Sequence, residues 1–324
     1  MRKTINKLFL IITVISALLL TTGCDLFIKT NKGQVDQKWY MGLTYEDDNG
    51  NDTDYTIGTD GTIAAVALED GYGDEFGIIK GEEAYLNINT IIKNIDKRFY
   101  VDATNNLVMF TDATKTYKTK IGGKTINETE NTDYVISFMD GKNCYVNVKF
   151  VKKYVDFDYK VVKAEGKSPA RIVLKYTSGE KNQMTVKSNI EMRTKADYQN
   201  LIVTTLKKNT KVTVLEESGD WTKVGTDDGF MGYVPAKKLK DKETKKTEFK
   251  SDADTYTHVL MNKKISLGWN AITNLTANGN LETIIEHTKG LNVISPTWYS
   301  LSDNKGNLRS YASATYVEKA HSKG

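Results

Sequence analysis

The segment YLNINTIIKNID, residues 85–96, has a counterpart sixty residues later in YVNVKFVKKYVD, residues 145–156. Four positions carry the same residue in both segments: Tyr85 and Tyr145, Asn87 and Asn147, Lys93 and Lys153, and Asp96 and Asp156. In each, apolar residues first alternate and then recur at four-residue spacing, which predicts a short strand followed by a short helix. Further strand-like runs follow at 106–110 and 170–174. This self-similarity predicts a duplicated strand–helix–strand module.

The module resembles the copper amine oxidase N-terminal-like domain of many secreted bacterial proteins. The resemblance implies an α+β domain with an internal repeat over residues 38–180. It implies no copper site, because that domain carries no copper, and no histidine precedes His258 in this chain. Asp96 and Asp156 are best explained as turn or cap residues rather than as a catalytic pair.

The acidic stretch EDDNGNDTDYTIGTDG, residues 46–61, has a composition that suits calcium loops. Such a loop needs glycine at its sixth position and glutamate at its twelfth. Counting from Asp47, these positions hold Asp52 and Gly58. The stretch therefore predicts turns and charged hairpin tips, and no metal site.

Residues 183–240 change in character to short strands separated by turns, which predicts a small β-barrel. They resemble the bacterial Src-homology-three-like (SH3-like) domain, which commonly binds wall peptides or other proteins. The matching residues are Asn189, Met192, Arg193, Leu206, Lys208, Trp221 and the run Gly232, Tyr233, Val234, Pro235. Asn209 replaces the usual glycine. Trp221 and Tyr233 are candidate ligand-contacting residues, with the alternative that one of them fills the barrel core.

A lysine-rich segment follows at 237–250, with seven lysines and three acidic residues. Its composition is typical of a solvated linker, either extended or helical, and we expect a linker over 241–254. An anionic wall polymer or lipid is the weaker alternative partner for these lysines.

The last region, residues 255–324, contains two similar four-residue motifs, HTKG at 287–290 and HSKG at 321–324. Each motif follows a helix-like segment and predicts a helix that ends with a glycine C-cap. The apolar runs at 264–273 and 291–301 predict strands. Apolar helix faces are expected at Leu281, Ile284, Ile285 and Thr288, and at Tyr316, Val317 and Ala320, with Thr315 and Glu318 as a capping box. Strands that are apolar on both faces and alternate with helices predict a parallel sheet with helices outside.

This region resembles the opening of the glycoside hydrolase family 18 catalytic domain. Leu267, Gly268 and Trp269 in the first strand and residues 292–299 in the second carry the resemblance. It implies an eight-fold (β/α)8 barrel, a fold that takes about 250 residues. The expectation is an incomplete barrel that ends after its first two βα units.

In that family, spaced aspartates ending in a catalytic glutamic acid act on amino-sugar polymers, with the substrate's own acetamido group as nucleophile. The carboxylates after residue 251 do not form this motif: they are Asp252, Asp254, Glu282, Glu286, Asp303 and Glu318. We therefore predict no catalytic residues and an inactive chain. Trp269, Trp298 and Tyr299 are candidate sugar-contacting residues at strand ends, with core packing as the alternative.

The N-terminus has basic residues, then a thirteen-residue apolar run over 8–20, then small residues before Cys24. The run is shorter than the ~20 residues of a membrane span and suits a secretory signal. The signal (1–23) resembles that of a bacterial lipoprotein, which implies lipid on Cys24, although Thr21 stands where leucine is usual. Ordinary cleavage and an uncleaved anchor remain alternatives. We expect a tether over 24–37 and a protein held by lipid on the outer face of the membrane.

Net charge and cysteine content exclude further classes of function. Without the three basic residues of the predicted signal, 42 basic residues face 41 acidic ones, which gives no electrostatic case for nucleic acid. If Cys24 carries lipid, Cys144 has no partner in the chain, and its strand-like setting predicts a small buried side chain. No cofactor is expected, and the three scattered histidines suggest no metal site.

Two functions follow from these expectations. The first is the N-terminal part of an envelope-anchored, family 18-type glycosidase that acts on chitin-like or peptidoglycan polymers, cut before its catalytic motif. The second is a complete, non-enzymatic lipoprotein that binds wall glycan, wall peptide or a partner protein. The oligomeric state is not indicated by the sequence.

Overall fold

The computed structural model describes residues 30–113, 115–250, 262–304 and 306–323. The chain divides into two compact units, residues 1–254 and 255–324. Both are rich in strands and poor in helices. Within the described ranges, no helix has the length and apolar character needed to cross a membrane. The predicted signal and Cys24 lie outside these ranges.

The first unit begins with a short helix and a strand-rich α+β region, here called the module (residues 44–175). The short helix α1 (Gln37–Tyr40) precedes the module, whose own helices are α2 (Ile88–Thr90, continued by a π-helical turn at Ile91–Ile95) and α3 (Val148–Tyr154). Its strands are β1 (Thr44–Glu46), β2 (Asp52–Asp54), β3 (Thr62–Ala67), β4 (Gly77–Lys80), β5 (Glu83–Asn87), β6 (Phe99–Asp102), β7 (Leu107–Thr111), β8 (Thr116–Lys120), β9 (Thr125–Ile126), β10 (Glu130–Asn131), β11 (Ser137–Asp140), β12 (Asn143–Asn147), β13 (Asp158–Val162) and β14 (Ala170–Lys175).

The two self-similar segments lie side by side in the main sheet of the module, whose strand order is β11-β12-β5-β4-β3-β14-β13. Strands β5 and β12 pair antiparallel with Tyr145 opposite Asn87 and Asn147 opposite Tyr85. Equivalent residues are thus exchanged about a local two-fold axis. The side chains of Asn87 and Asn147 accept hydrogen bonds from backbone N–H groups in the first turn of the following helices, so each asparagine ends its strand and starts its helix. Both segments form a strand followed by a helix, as predicted.

The acidic stretch forms a hairpin, as its turn composition predicts. Strand β1 pairs antiparallel with β2, and Asp47 at the tip accepts hydrogen bonds from the N–H groups of Asn49 and Asn51. Such carboxylate-to-backbone bonds are the usual stabilising contacts of tight turns.

The second region of this unit is a small barrel, here called the barrel (residues 179–247). Its strands are β15 (Gly179–Val186), β16 (Ile190–Arg193), β17 (Ile202–Leu206), β18 (Lys211–Ser218), β19 (Trp221–Gly225), β20 (Met231–Pro235) and β21 (Leu239–Thr247), with a 3-10 turn at Ala236–Lys238. The strand order is β17-β16-β20-β19-β18-β15-β21. Asn209 has a φ of 67°, a conformation that asparagine tolerates better than most residues, which explains how it replaces glycine. Gly232 is required for packing, because a Cβ there would lie 2.7 Å from the Arg193 carbonyl oxygen.

The prediction of a linker over 241–254 is wrong for its first half. Residues 241–247 belong to β21, which pairs with β15 along almost its whole length, while 251–254 lie outside the described residues. The lysines are exposed on an edge strand, where charged side chains discourage pairing with other chains. The segment is exposed to solvent, as its composition indicates, but it forms a strand and not a linker.

The expected tether over 24–37 is likewise wrong from residue 30 onward. Val35 donates its N–H to the Ile202 carbonyl, and Ile202 donates to the Gly33 carbonyl, so this segment pairs with β17 at the barrel edge. Val35 and Met41 are buried in the barrel core. The polar composition of the segment did not indicate this pairing, because the contacts are made by backbone groups and by two apolar side chains.

Module and barrel meet at the two faces of β3. On β3, Ala64 and Val66 face the core of the module, whereas Ala65 and Ala67 face the barrel. Gly229 in the β19–β20 turn has a φ of 86°, and a Cβ there would lie 2.9 Å from Val173. Small residues on both sides bring the two regions together as one body.

The second unit contains β22 (Leu267–Asn270), β23 (Val293–Pro296), β24 (Tyr299–Leu301), β25 (Leu308–Ser310), α4 (Leu281–Glu286, preceded by a 3-10 turn at Leu275–Asn280) and α5 (Ala314–Ser322). Strands β22 and β23 pair in parallel, as predicted, and β24 and β25 form an antiparallel hairpin that the sequence did not predict. Its core contains Ile272, Leu281 and Tyr316.

Two expectations for this unit are wrong. Strands buried on both faces are not found: Leu267 and Trp269 are exposed on one face of β22, and Asn270 is buried on the other. The cap of α5 is Ser313, whose side chain accepts a hydrogen bond from the Tyr316 N–H, so Thr315 and Glu318 do not form the capping box. Ser313 lies two residues earlier and has the extended backbone that an N-cap requires.

Candidate ligand-binding surface of the barrel

The aromatic surface of the barrel consists of Tyr198 and Trp221. The ring of Tyr198 meets Trp221 edge to face, with centroids 4.8 Å apart, and both side chains are half-buried. Trp221 begins β19 opposite Pro235, the last residue of β20. Half-exposed aromatic rings held by their neighbours are typical of binding surfaces, since little conformational entropy is lost when a ligand covers them.

Sequence reasoning found Trp221 but missed Tyr198. Tyr198 lies in the turn between β16 and β17, where the run KADYQN offered no strand or helix periodicity. Its position depends on a tertiary contact with Trp221, 23 residues later in the chain. The sequence signal for this residue was a single aromatic side chain within a run of turn-forming residues.

Arg193 is buried and holds the Tyr198 turn in place. Its guanidinium donates to the carbonyl oxygens of Asn31, Tyr198 and Asn200 at 3.0, 2.9 and 2.6 Å, and it pairs with the Glu191 carboxylate. Five fixed donors allow one arginine to satisfy several carbonyls at once. The N-terminal segment and the turn that carries Tyr198 are therefore joined through one side chain.

Tyr233 lies on the same outward face as Trp221, diagonally across the β19–β20 ladder, because Lys223 is its direct partner and Trp221 is paired with Pro235. It faces the N-terminal segment, where burial together with the nearby Tyr233 phenol raises the pKa of Tyr40 to about 12. The Tyr40 hydroxyl donates to the Met231 carbonyl at 3.0 Å. Trp221 and Tyr233 therefore share one face of the barrel, and Tyr40 of α1 lies near Tyr233.

The module covers the rest of the β19–β20 face. Lys223 donates to the Asp70 carbonyl at 2.9 Å, and Tyr72 donates to the Gly229 carbonyl at 3.1 Å. Arg171 is buried, donates to the Asp228 carbonyl at 2.6 Å and stacks on Phe230, with 4.3 Å between the guanidinium carbon and the ring centroid. The module leaves the Tyr198–Trp221 end of this face uncovered.

The candidate residues of the second unit separate into two kinds. Trp298 packs in the core, edge to face with Tyr316 at 5.2 Å, and its indole N–H donates to the Asn278 side chain at 2.7 Å. Packing therefore accounts for Trp298. Trp269 and Tyr299 are 76% and 61% exposed, which leaves both rings accessible to a ligand.

Cys144 is buried in β12, and burial raises the pKa of its thiol to about 11. Such a thiol is a packing group rather than a nucleophile at neutral pH. In the parts of the chain that the structure describes, no three histidine, cysteine, aspartate or glutamate side chains converge as metal ligands.

Residues 188–240 match the family described as the bacterial SH3 domain. The prediction of a bacterial SH3 domain is confirmed. This SH3 domain covers β16 to β20 and the start of β21, so the Tyr198–Trp221 pair lies within it. No curated protein and no solved structure matches the chain.

Proposed function

We propose that this protein binds a component of the bacterial cell wall, peptide or glycan, or a partner protein, through the Tyr198–Trp221 surface of its SH3 domain. The match of residues 188–240 to the bacterial SH3 domain carries the proposal. The geometry supports it, because the aromatic pair is half-exposed and Arg193 fixes the turn beneath it. Buried supports of this kind reduce the entropy lost on binding.

The proposal includes a place for the protein in the cell. The signal-like residues 1–23 and Cys24 favour export and attachment by lipid to the outer face of the membrane. The N-terminal segment then connects directly to the barrel, since residues 31–35 are hydrogen-bonded to it. A lipid on Cys24 would hold the SH3 domain close to the membrane.

For the other regions we propose the relationships that the sequence suggested. The two-fold pairing of β5 and β12 supports a duplicated module like the copper amine oxidase N-terminal-like domain. The parallel pair β22 and β23 has helices on the face of Asn270 and Ile294 and exposes Leu267 and Trp269 on the other. That arrangement supports a likeness to the opening of a family 18 glycosidase barrel, whose strands face an interior.

A wall-retention assay tests the proposed function. The chain from residue 25 onward is mixed with purified wall material, and the bound fraction is compared for the unmodified chain, Tyr198→Ala and Trp221→Ala. We expect both variants to lose most of their retention, because each removes one of the two rings. Tyr100→Ala is the control, since Tyr100 is an exposed tyrosine in the module, away from the SH3 domain.

Retention that is unchanged in both variants while the unmodified chain binds would contradict the proposed surface. No retention of any form would refute wall binding and leave a partner protein as the ligand class to test. For the alternative glycosidase function, the same preparation is assayed on amino-sugar polymers. Turnover would overturn our prediction of an inactive chain.

A further inference from the structure

A cleft of about 340 Å³ lies between the module and the barrel, away from the Tyr198–Trp221 surface. One wall is formed by β14 and the residues after β3, and the other by β15, β18 and the end of β21. Packing of Val173 of the module against Met231 of the barrel holds the two walls together. Small-ligand sites often occur at such domain interfaces, with volumes from about 300 Å³ upward.

The floor of the cleft is apolar. It is lined by Leu68 and Val173 of the module and by Leu215 and Met231 of the barrel. Val173, Leu215 and Met231 belong to one hydrophobic cluster, which fixes their positions. This floor offers room for one apolar side chain.

Most charges around the cleft are paired. Glu69 accepts from Lys181 at 2.8 Å, Asp227 from Lys175 at 2.8 Å and Asp158 from Lys152 at 3.1 Å, and Lys246 pairs with Glu248. Burial alone would raise the pKa of Glu69, but hydrogen bonds from Lys181 and Thr177 lower it. The carboxylates of these pairs therefore already have cationic partners.

Two lysines near the cleft remain without a carboxylate within ion-pair distance in the described part of the chain. They are Lys245, on its wall, and Lys160, on the adjoining strand β13. Both are close enough to Asp227 to help lower its pKa, after the larger effect of Lys175. In addition, Lys245 lies directly opposite Lys181 across the β15–β21 ladder, and like charges in that position repel. The lining holds equal numbers of lysines and carboxylates, and Lys245 and the neighbouring Lys160 supply the positive charge that these ion pairs leave over.

Two neutral side chains of the same wall complete the site. Gln183 on β15 lies opposite Thr213 on β18, so both project from the same face as Lys181 and Lys245. Across the described residues, neither side chain has a hydrogen-bond partner within the protein, and both line the cleft. An amide, a hydroxyl and an ammonium group are therefore free to bind a ligand.

We propose that this cleft binds the C-terminal carboxylate of a short peptide whose last side chain is apolar. Lys245 pairs with the carboxylate, Gln183 and Thr213 hydrogen-bond to the terminal peptide group, and the apolar side chain rests on Leu215 and Met231. Charge complementarity favours an anion, and the apolar floor favours a peptide terminus over a bare inorganic anion. This site is independent of the proposed SH3 surface.

The test uses the chain from residue 25 onward and the probe N-acetyl-Ala-Leu, titrated by calorimetry or NMR. We expect binding of the free acid and at least about ten-fold weaker binding of its C-terminal amide, because the amide lacks the charge-assisted bond. Lys245→Gln should weaken binding of the acid by a similar factor. Lys242→Gln is the matched control, since Lys242 lies on the same strand outside the cleft and pairs with Glu217.

A second pair of measurements tests the floor. Leu215→Ala should weaken binding of N-acetyl-Ala-Leu by about five-fold and leave N-acetyl-Ala-Gly nearly unchanged, because the glycine peptide has no side chain to bury. Equal binding of acid and amide, or no effect of Lys245→Gln, overturns the carboxylate site. Inorganic phosphate that competes fully and binds as tightly as the peptide would overturn the choice of ligand. These outcomes do not depend on wall retention, and the Tyr198 and Trp221 variants should bind the probes normally.

Discussion

The two units of this protein contain similar elements but differ in how completely their sheets are covered. In the first unit, β3 is buried on both faces, with the module core on one side and the barrel on the other. In the second, β22 is covered on one face, and its Leu267 and Trp269 are exposed. Of the fifteen large apolar side chains exposed among the described residues, eight belong to this shorter unit. Secondary structure therefore formed in both units, whereas a closed core formed only where a second layer covers each sheet face.

The physical basis of the difference is the size of a few side chains. Ala65, Ala67 and Gly229 are small enough for the module and the barrel to approach closely. Tyr72 and Arg171 then satisfy the backbone carbonyls of the β19–β20 turn that this approach buries. The described part of the second unit has no such layer over Leu267 and Trp269.

Amide exchange should show the largest effect. Amides of β3 and β14 are expected to exchange at least about 100-fold more slowly than those of β22 and β23, because the former open only with the whole first unit. Hydrogen-exchange mass spectrometry of the chain from residue 25 onward measures this. Equal protection in β22 and β23 would contradict the comparison and identify the second unit as a closed domain.

The close approach of module and barrel can be broken at Gly229. Gly229→Ala places a Cβ 2.9 Å from Val173 and 3.1 Å from Ala67 at a positive φ, and we expect a loss of about 2–4 kcal/mol in unfolding free energy. Gly219→Ala separates the two causes, since Gly219 has a φ of 58° but no neighbour within 4 Å of the added Cβ. Chemical denaturation should show about 1–2 kcal/mol for this control. Equal losses in both variants would mean that backbone conformation, and not close packing, sets the cost.

A smaller effect should depend on pH. Glu69 accepts hydrogen bonds from the backbone N–H groups of Tyr176 and Thr177 and pairs with Lys181, and its pKa in the folded protein lies below the ordinary value of 4.5. A lowered pKa contributes stability above pH 4.5 that is lost as the pH falls through the folded-state value. Glu69→Gln should therefore reduce the difference in unfolding free energy between pH 6 and pH 3 by about 0.5–1 kcal/mol.

The control for this measurement is Glu216→Gln, which changes an exposed carboxylate on β18. It should leave the difference between pH 6 and pH 3 unchanged. If the two variants respond alike, the acid sensitivity of the first unit comes from its overall charge and not from Glu69.

Sequence reasoning succeeded where a local pattern sets the local structure. The alternation and four-residue spacing at 85–96 and 145–156 predicted strand then helix, and Asn87 and Asn147 mark the change. The SH3 residues also carried enough local information to be recognised. The tether and the linker were misassigned, because residues 31–35 and 241–247 become strand-like by pairing with β17 and β15. Strand pairing depends on the partner, and composition does not report it.

The sequence by itself determined the SH3 domain, the two strand–helix segments, the parallel pairing expected of β22 and β23, and the buried character of Cys144, because each depends on spacing or side-chain type. The tertiary structure decided which aromatic residues meet: Tyr198 with Trp221, Tyr233 beside Tyr40, and Trp298 in a core. It also decided that module and barrel form one body with a cleft between them. These outcomes depend on contacts between residues that are far apart in the chain. Local sequence patterns do not encode such contacts, because they form only when the fold brings the residues together.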